Sequence, residues 1–257
     1  MTMSQSLEKF LKYQADLTAS AASDSAVLGL VFLGSSAEHS RVDEYSDQDF
    51  FLIVKNGEGE RFRQNLSWLP ENQDILLSPR ETAHGLKVLY KSGLVLEFAV
   101  FEDSELELAA ANDYLVALDN QNIAERMALI QARSVPKPKD LDAEFELFLS
   151  LVVIGVGRAR RGELIAADQH IKGYAVEKLL TLIRGLKPIE QSRQDSLNAY
   201  RRFEFDYPNL GAHIAMHMLS QPEVSAKGLV YVAGHELPLT QDQQNKLSAV
   251  KAILGWS

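Results

Sequence analysis

Five residues divide this chain into two textures. Val135-Pro136-Lys137-Pro138-Lys139 places two prolines in three positions. Neither proline can continue a helix, and each disfavours helix in the residue before it. Before this break, short apolar runs end in turn residues. After it, helical periodicity dominates and no strand pattern is convincing. The sequence therefore predicts an α+β chain in two parts, with a mixed sheet and flanking helices over residues 1–135 and a helical bundle over 136–257.

In the first part, Leu7, Phe10, Leu11 and Leu17 recur at helical spacing and predict a helix over 6–21. Apolar runs predict strands over 26–33, 50–54, 75–77, 86–90 and 94–101. Helices are expected over 60–69 and 103–111. In the second part, helices are expected over 140–161, 163–185, 193–202, 209–219 and 240–254. No internal repeat or low-complexity segment interrupts either half.

Composition narrows the chemistry. The 257 residues contain no cysteine, which excludes disulfides, thiolate metal sites and cysteine nucleophiles. Residues 1–135 hold 11 Lys+Arg against 21 Asp+Glu, whereas residues 136–257 hold 15 against 14. An acidic first half argues against wrapping nucleic acid, which needs a basic face. It suits a half that binds a divalent cation. The apolar runs are too short to span a bilayer, and the N-terminal residues lack a basic-then-apolar signal pattern, so a cytoplasmic protein is expected.

The chemistry-bearing segment starts at the end of the first apolar run. Leu28-Gly29-Leu30-Val31-Phe32-Leu33 stops at Gly34-Ser35-Ser36. Glycine allows a phosphate to approach the main chain closely, and serine adds an N–H and a hydroxyl. Eleven residues separate Ser35 from Asp47, and Asp47-Gln48-Asp49 opens the next apolar run. Strand side chains alternate, so Asp47 and Asp49 share a face, about 7 Å apart along the chain. Two carboxylates at the head of an apolar strand are costly unless something positive sits between them. A hard cation such as Mg²⁺, which takes oxygen ligands and shares its remaining sites with phosphates, meets that need. Glu97 interrupts the apolar run of residues 94–101. If its strand lies beside 50–54, Glu97 joins the two aspartates in a site suited to phosphoryl or nucleotidyl transfer.

Gly34-Ser35, then Asp47-Gln48-Asp49, then a lone acid on a later strand resembles the nucleotidyltransferase superfamily, which includes DNA polymerase β and the antibiotic nucleotidyltransferases. Tyr45-Ser46-Asp47-Gln48-Asp49-Phe50 and Glu97-Phe98-Ala99-Val100-Phe101-Glu102 are most similar to the lincosamide nucleotidyltransferases, and more distantly to aminoglycoside adenylyltransferases. Arg160-Arg161-Gly162-Glu163, entering a helix through Gln169 and Leu179 to Ile183-Arg184, shares that likeness. Gln48 departs from the pattern, where an apolar residue is usual. The match covers about the first 100 residues well and the helical half more loosely.

The resemblance implies a nucleotidyltransferase-like catalytic domain over 1–135 and a helical substrate-binding domain over 136–257, with the active site in the cleft between them. It implies a nucleoside triphosphate, ATP in the first instance, lying along Gly34, Ser35 and Ser36; Arg41, by its place in the loop before Asp47, is a further candidate phosphate contact. Asp47 and Asp49 would hold Mg²⁺, and Glu97 would be the third ligand, the general base, or both. A small hydroxylated acceptor, an antibiotic such as a lincosamide or aminoglycoside, would receive the nucleoside monophosphate. No membrane or nucleic-acid partner is expected, and a homodimer is allowed. The alternatives are a nucleotidyltransferase acting on a protein or tRNA, as in toxin–antitoxin modules, a nucleotide-binding module without catalysis, and a purely structural protein.

Other residues read more plainly. His213 and His217 could share a helix face, but Ile214 stands where a zinc protease needs Glu and no third ligand is evident, so a plain helix face or core packing is the better reading. His39 reads as an exposed loop residue. Arg158, Arg160 and Arg161 read as a solvated helix end, and Glu177 and Lys178 as an exposed pair. Ser35 and Ser36 show no histidine partner that would make either a nucleophile.

Overall fold

β1 (Val27–Leu33) is apolar along its length and buried almost throughout, which places it inside a sheet rather than at its edge. The computed structural model describes residues 3–135, 137–189 and 198–256, with backbone alone for 3–5 and 41. It divides into two units, Met1–Val135 and Pro136–Ser257. The architecture is α+β, with a six-stranded mixed sheet in the first unit and helices in the second.

The sheet contains β2 (Gln48–Val54), β3 (Ile75–Leu77), β4 (Gly85–Tyr90), β5 (Val95–Glu102) and β6 (Tyr114–Asp119), in the order β3-β4-β5-β2-β1-β6. Only the β2–β5 pair is parallel. α1 (Met3–Ala22) covers one face, packing Tyr13, Leu17 and Ala21 over Leu30, Phe50, Leu96 and Phe98. α4 (Ile123–Ser134) covers the other, with Ile123, Met127 and Ile130 against Val31, Ile53 and Phe101. Gly29 makes this second contact close, because a Cβ there would lie 2.7 Å from Ile123 Cγ1.

Two elements of this unit depart from expectation and two were not read from the sequence. α3 spans only Gly59–Gln64, where a helix over 60–69 was expected. The Asn65 side chain accepts the Ser67 N–H and turns the chain out of the helix. The expected helix over 103–111 is a 3-10 segment, Asp103–Leu108, opened by a Glu102–Glu105 capping box. β6 carries no strong alternation, whereas α4 carries a stripe of Ile123, Met127 and Ile130 that the sequence reading passed over. Asp119 links them, accepting the N–H groups of Ile123 and Ala124 at the start of α4.

In the second unit, α5 (Leu141–Arg160) starts at Asp140, whose carboxylate accepts the N–H groups of Asp142 and Ala143. Phe145, Phe148, Val152 and Val156 of α5 form the core with Ile171, Val176, Leu179 and Ile183. The latter four come from one long helical segment: α6 (Leu164–Asp168), a π-helical stretch (Gln169–Ala175) and α7 (Val176–Leu186). Gly155 admits this segment, since a Cβ there would lie 2.5 Å from Ile171 Cγ1. α8 (Phe203–Asp206), α9 (Pro208–Met218), α10 (Pro222–Glu236) and α11 (Gln241–Leu254) complete the unit. Fully buried Asp206 is neutralised by Arg184, 2.8 Å away. α10 was not expected; it is buried on several sides and so lacks a single apolar stripe. Most of the expected 193–202 helix lies outside the described residues, and 198–202 form bends and turns. No described helix is long and apolar enough to cross a membrane.

Glu223 ties α10 to the end of the chain. It accepts from Arg160 at 2.6 Å and from the Trp256 indole at 3.0 Å. Arg160 above all, then Trp256, lowers its carboxyl to about 2. A depressed carboxyl stabilises the fold above its unfolded value, and that contribution fades as pH falls through the folded value. Glu223→Gln is therefore expected to cost of order 1 kcal/mol at neutral pH after solvent screening. Urea unfolding should show the gap to wild type closing between about pH 4.5 and 2.

Candidate metal centre

The parallel pairing of β2 with β5 places Asp49 directly opposite Glu97. Asp47, two residues before Asp49, joins them. One carboxylate oxygen from each of Asp47, Asp49 and Glu97 lies within 4.8 Å of the others, and all three residues are half-buried. They occupy the face that also carries Phe51, Ile53 and Phe101, away from α1. The donors are all hard oxygens, the set that suits Mg²⁺ rather than a soft metal. The donor set and its placement fit the ion.

The Gly-Ser turn borders this cluster. β1 ends at Leu33, and Gly34 enters the left-handed region with φ +51°. A Cβ at Gly34 would lie 3.6 Å from Asp49 Oδ2, so the turn backbone faces the carboxylate across the space a side chain would fill. A short helical turn, α2 (Gly34–Ala37), follows. The Gly34 N–H donates to the Asp113 carbonyl at 3.1 Å and is committed to the β6 side. Ser35 is half-buried at the head of the turn.

Ser36 stands differently from its expected nucleotide-binding role. It is fully buried, and its hydroxyl accepts the Asp49 N–H at 2.9 Å. Gln48, the departure from the family pattern, is also fully buried. Alternation turns it away from its two aspartate neighbours, so its amide donates to the Phe10 carbonyl at 3.1 Å. Gln14 of α1 donates to the Ser36 carbonyl at 2.9 Å, and His39 lies 3.0 Å from the Gln14 side-chain oxygen. These contacts stitch α1, the Gly-Ser turn and β2 together beneath the cluster. His39 belongs to this network rather than to an exposed loop. Arg41 ends a 3-10 turn, His39–Arg41, and its side chain lies outside the described residues.

Lys87 is the charged neighbour that sequence reasoning did not single out. It pairs in register with Glu97 across β4 and β5, and its Nζ lies 2.7 Å from Glu97 Oε1. Glu81 holds the same ammonium at 3.2 Å. Glu97 and then Glu81 raise the lysine above its ordinary value. Its signal was the alternation of β4, in which Lys87 falls on the face opposite buried Leu86 and Val88.

The remaining candidates are taken up elsewhere. Arg158 and Arg161 both pair with Glu163, and Arg160 with Glu223. Lys178 is not an exposed partner of Glu177 alone; it reaches Glu144 on α5 at 3.2 Å in a largely buried contact. His217 packs on Gly228, where a Cβ would fall 2.1 Å from Nδ1. A cavity of about 430 Å³ lies on the α1 side of the sheet, lined in part by Phe10, Tyr13, Tyr45, Glu71 and Val95. None of the three carboxylates lines it.

No protein-family model matches the chain, and no curated protein matches it. Several solved structures align over most of its length. An aminoglycoside 6-adenyltransferase from Bacillus subtilis is 15% identical, covers 95% of this chain and 90% of its own, and gives a TM-score of 0.32. A nucleotidyltransferase-like protein from Exiguobacterium sibiricum is 13% identical, with 95% and 88% coverage and a TM-score of 0.34. The Escherichia coli CdnC protein, solved with a HORMA partner, is 14% identical, with 95% and 90% coverage and a TM-score of 0.33. These overlays are too loose to assign an activity.

Three close carboxylates repel one another in the absence of a counter-ion. Asp47→Asn is therefore expected to leave the metal-free protein as stable as wild type, or up to about 1 kcal/mol more stable. Urea unfolding in a chelating buffer measures this. A loss above about 1 kcal/mol would instead mark Asp47 as a structural residue.

Proposed function

We propose that the chain is a metal-dependent nucleotidyltransferase that moves a nucleoside monophosphate, AMP from MgATP in the first instance, to a hydroxyl of a small molecule. The observation carrying this reading is the convergence of Asp47, Asp49 and Glu97 from two adjacent strands, beside the left-handed turn at Gly34. Asp47, Asp49 and Glu97 would hold Mg²⁺. The ion would neutralise charge on the triphosphate and its pyrophosphate leaving group and lower the pKa of the attacking hydroxyl.

The chain's own residues supply the rest. Gly34, without a Cβ, leaves room for a phosphate to approach the backbone near Asp49, and Ser35 offers an N–H and a hydroxyl there. The acceptor hydroxyl attacks the α-phosphorus, a new P–O bond forms, and the bond to pyrophosphate breaks. Glu97 would take the hydroxyl proton where it is not fully engaged as a ligand. Residues 1–135 would then be the catalytic unit and 136–257 the substrate-binding unit. An antibiotic such as a lincosamide or aminoglycoside is the acceptor class that the sequence resemblance favours. The acidic balance of residues 1–135 weighs against a tRNA acceptor.

Pyrophosphate release from nucleoside triphosphates, screened against hydroxylated antibiotics and metabolites, tests the reading. Asp47→Asn and Asp49→Asn are each expected to lower turnover by about a thousandfold or more while circular dichroism stays unchanged. Turnover of Asp47→Asn at the wild-type rate would eliminate the metal site.

A further inference from the structure

We propose that Lys87 is a built-in counter-cation of the acidic cluster, so that a divalent ion must compete with it for Glu97. The inference rests on the metal reading above and adds a control on metal uptake.

Three strands bring the charges into one row. Lys87 of β4 lies opposite Glu97 of β5, and Glu97 lies opposite Asp49 of β2. Residues opposite one another on neighbouring strands point to the same face, so all three side chains share the surface that carries the cluster. The ammonium lies 2.7 Å from Glu97 Oε1 and therefore occupies an oxygen of one candidate ligand. It neutralises part of the repulsion among the three acids when no metal is bound.

Release of Glu97 is built in. Lys87 and Glu97 are 40% and 44% exposed, so the pair is screened and readily broken. Glu81 stands 3.2 Å from the same ammonium and retains it when Glu97 turns to a metal. Lys87 thus keeps one carboxylate partner when the other is withdrawn. A positive charge this close to a partly exposed divalent site lowers cation affinity by about three- to tenfold at a water-like effective dielectric with salt screening. A lysine that merely clamped the β4–β5 pair would do the opposite: its loss would loosen Glu97 and weaken the metal.

Mn²⁺ binding to the full chain, followed by the loss of the free-ion electron paramagnetic resonance signal without nucleotide, separates these roles independently of catalysis. Lys87→Met is expected to bind Mn²⁺ about three- to tenfold more tightly than wild type, while Lys87→Arg, which keeps the charge, stays near wild type. Adding Asp47→Asn to Lys87→Met should remove the gain, showing that the ion sits at this cluster. Equal or weaker Mn²⁺ binding by a folded Lys87→Met or Lys87→Gln overturns the counter-cation role and leaves the metal site standing. A gain that survives Asp47→Asn also overturns it. No Mn²⁺ binding by wild type or by Lys87→Met overturns both this role and the metal site.

Discussion

Like charges placed opposite one another on neighbouring strands are destabilising, yet β2 and β5 put Asp49 and Glu97 in that position. The arrangement is a consequence of register. Shifting either strand by one residue would exchange its two faces, carrying Phe50 or Phe98 out of the α1 core and an acid into it, because strand side chains alternate with a period of two. Phe50 and Phe98 show how firmly the register is held. Their rings stack at 4.8 Å between centroids on the α1 face, one residue beyond the acids on each strand. The core thus supplies the energy that holds the carboxylates together.

The second constraint lies beneath the acids, in groups that are polar but not ligands. Ser36 and Gln48 are fully buried, and Gln14 is nearly so. Buried polar groups are costly when unpaired, so a satisfied network fixes the backbone around it. Here the Ser36 hydroxyl accepts the main-chain N–H of Asp49 itself. The network therefore sets the start of β2, from which Asp47 and Asp49 both project. A polar residue at position 48 is compatible with the acidic motif because α1 presents the Phe10 carbonyl to it.

The parts of this fold that were legible in sequence are those in which local chemistry and burial agree. β1, β2 and β5 are apolar runs bounded by turns, and α1, α5 and α11 have clear caps or stripes. β6 was not legible because an edge strand is only half-buried and need not alternate strongly. α10 was hidden for the opposite reason, its many buried residues leaving no stripe to read. At the site, the spacing of Asp47 and Asp49 revealed a shared face, and Glu97 stood out as an acid in an apolar run. Strand pairing decided the rest. The short Lys91-Ser92-Gly93 turn marks β4 and β5 as a hairpin, but no pattern singled out Lys87 as the residue opposite Glu97, and nothing in Gly-Ser-Ser showed which serine would face the core.

The proposed chemistry depends on one ion being held by three acids. The most direct measurement is anomalous diffraction from crystals grown with Mn²⁺ and a non-hydrolysable ATP analogue. The expected result is an anomalous peak within about 2.3 Å of oxygens from Asp47 and Asp49, with Glu97 in or beside the coordination shell and the analogue's phosphates completing it. A fully occupied peak elsewhere, with these three carboxylates facing only solvent and Lys87, would contradict it.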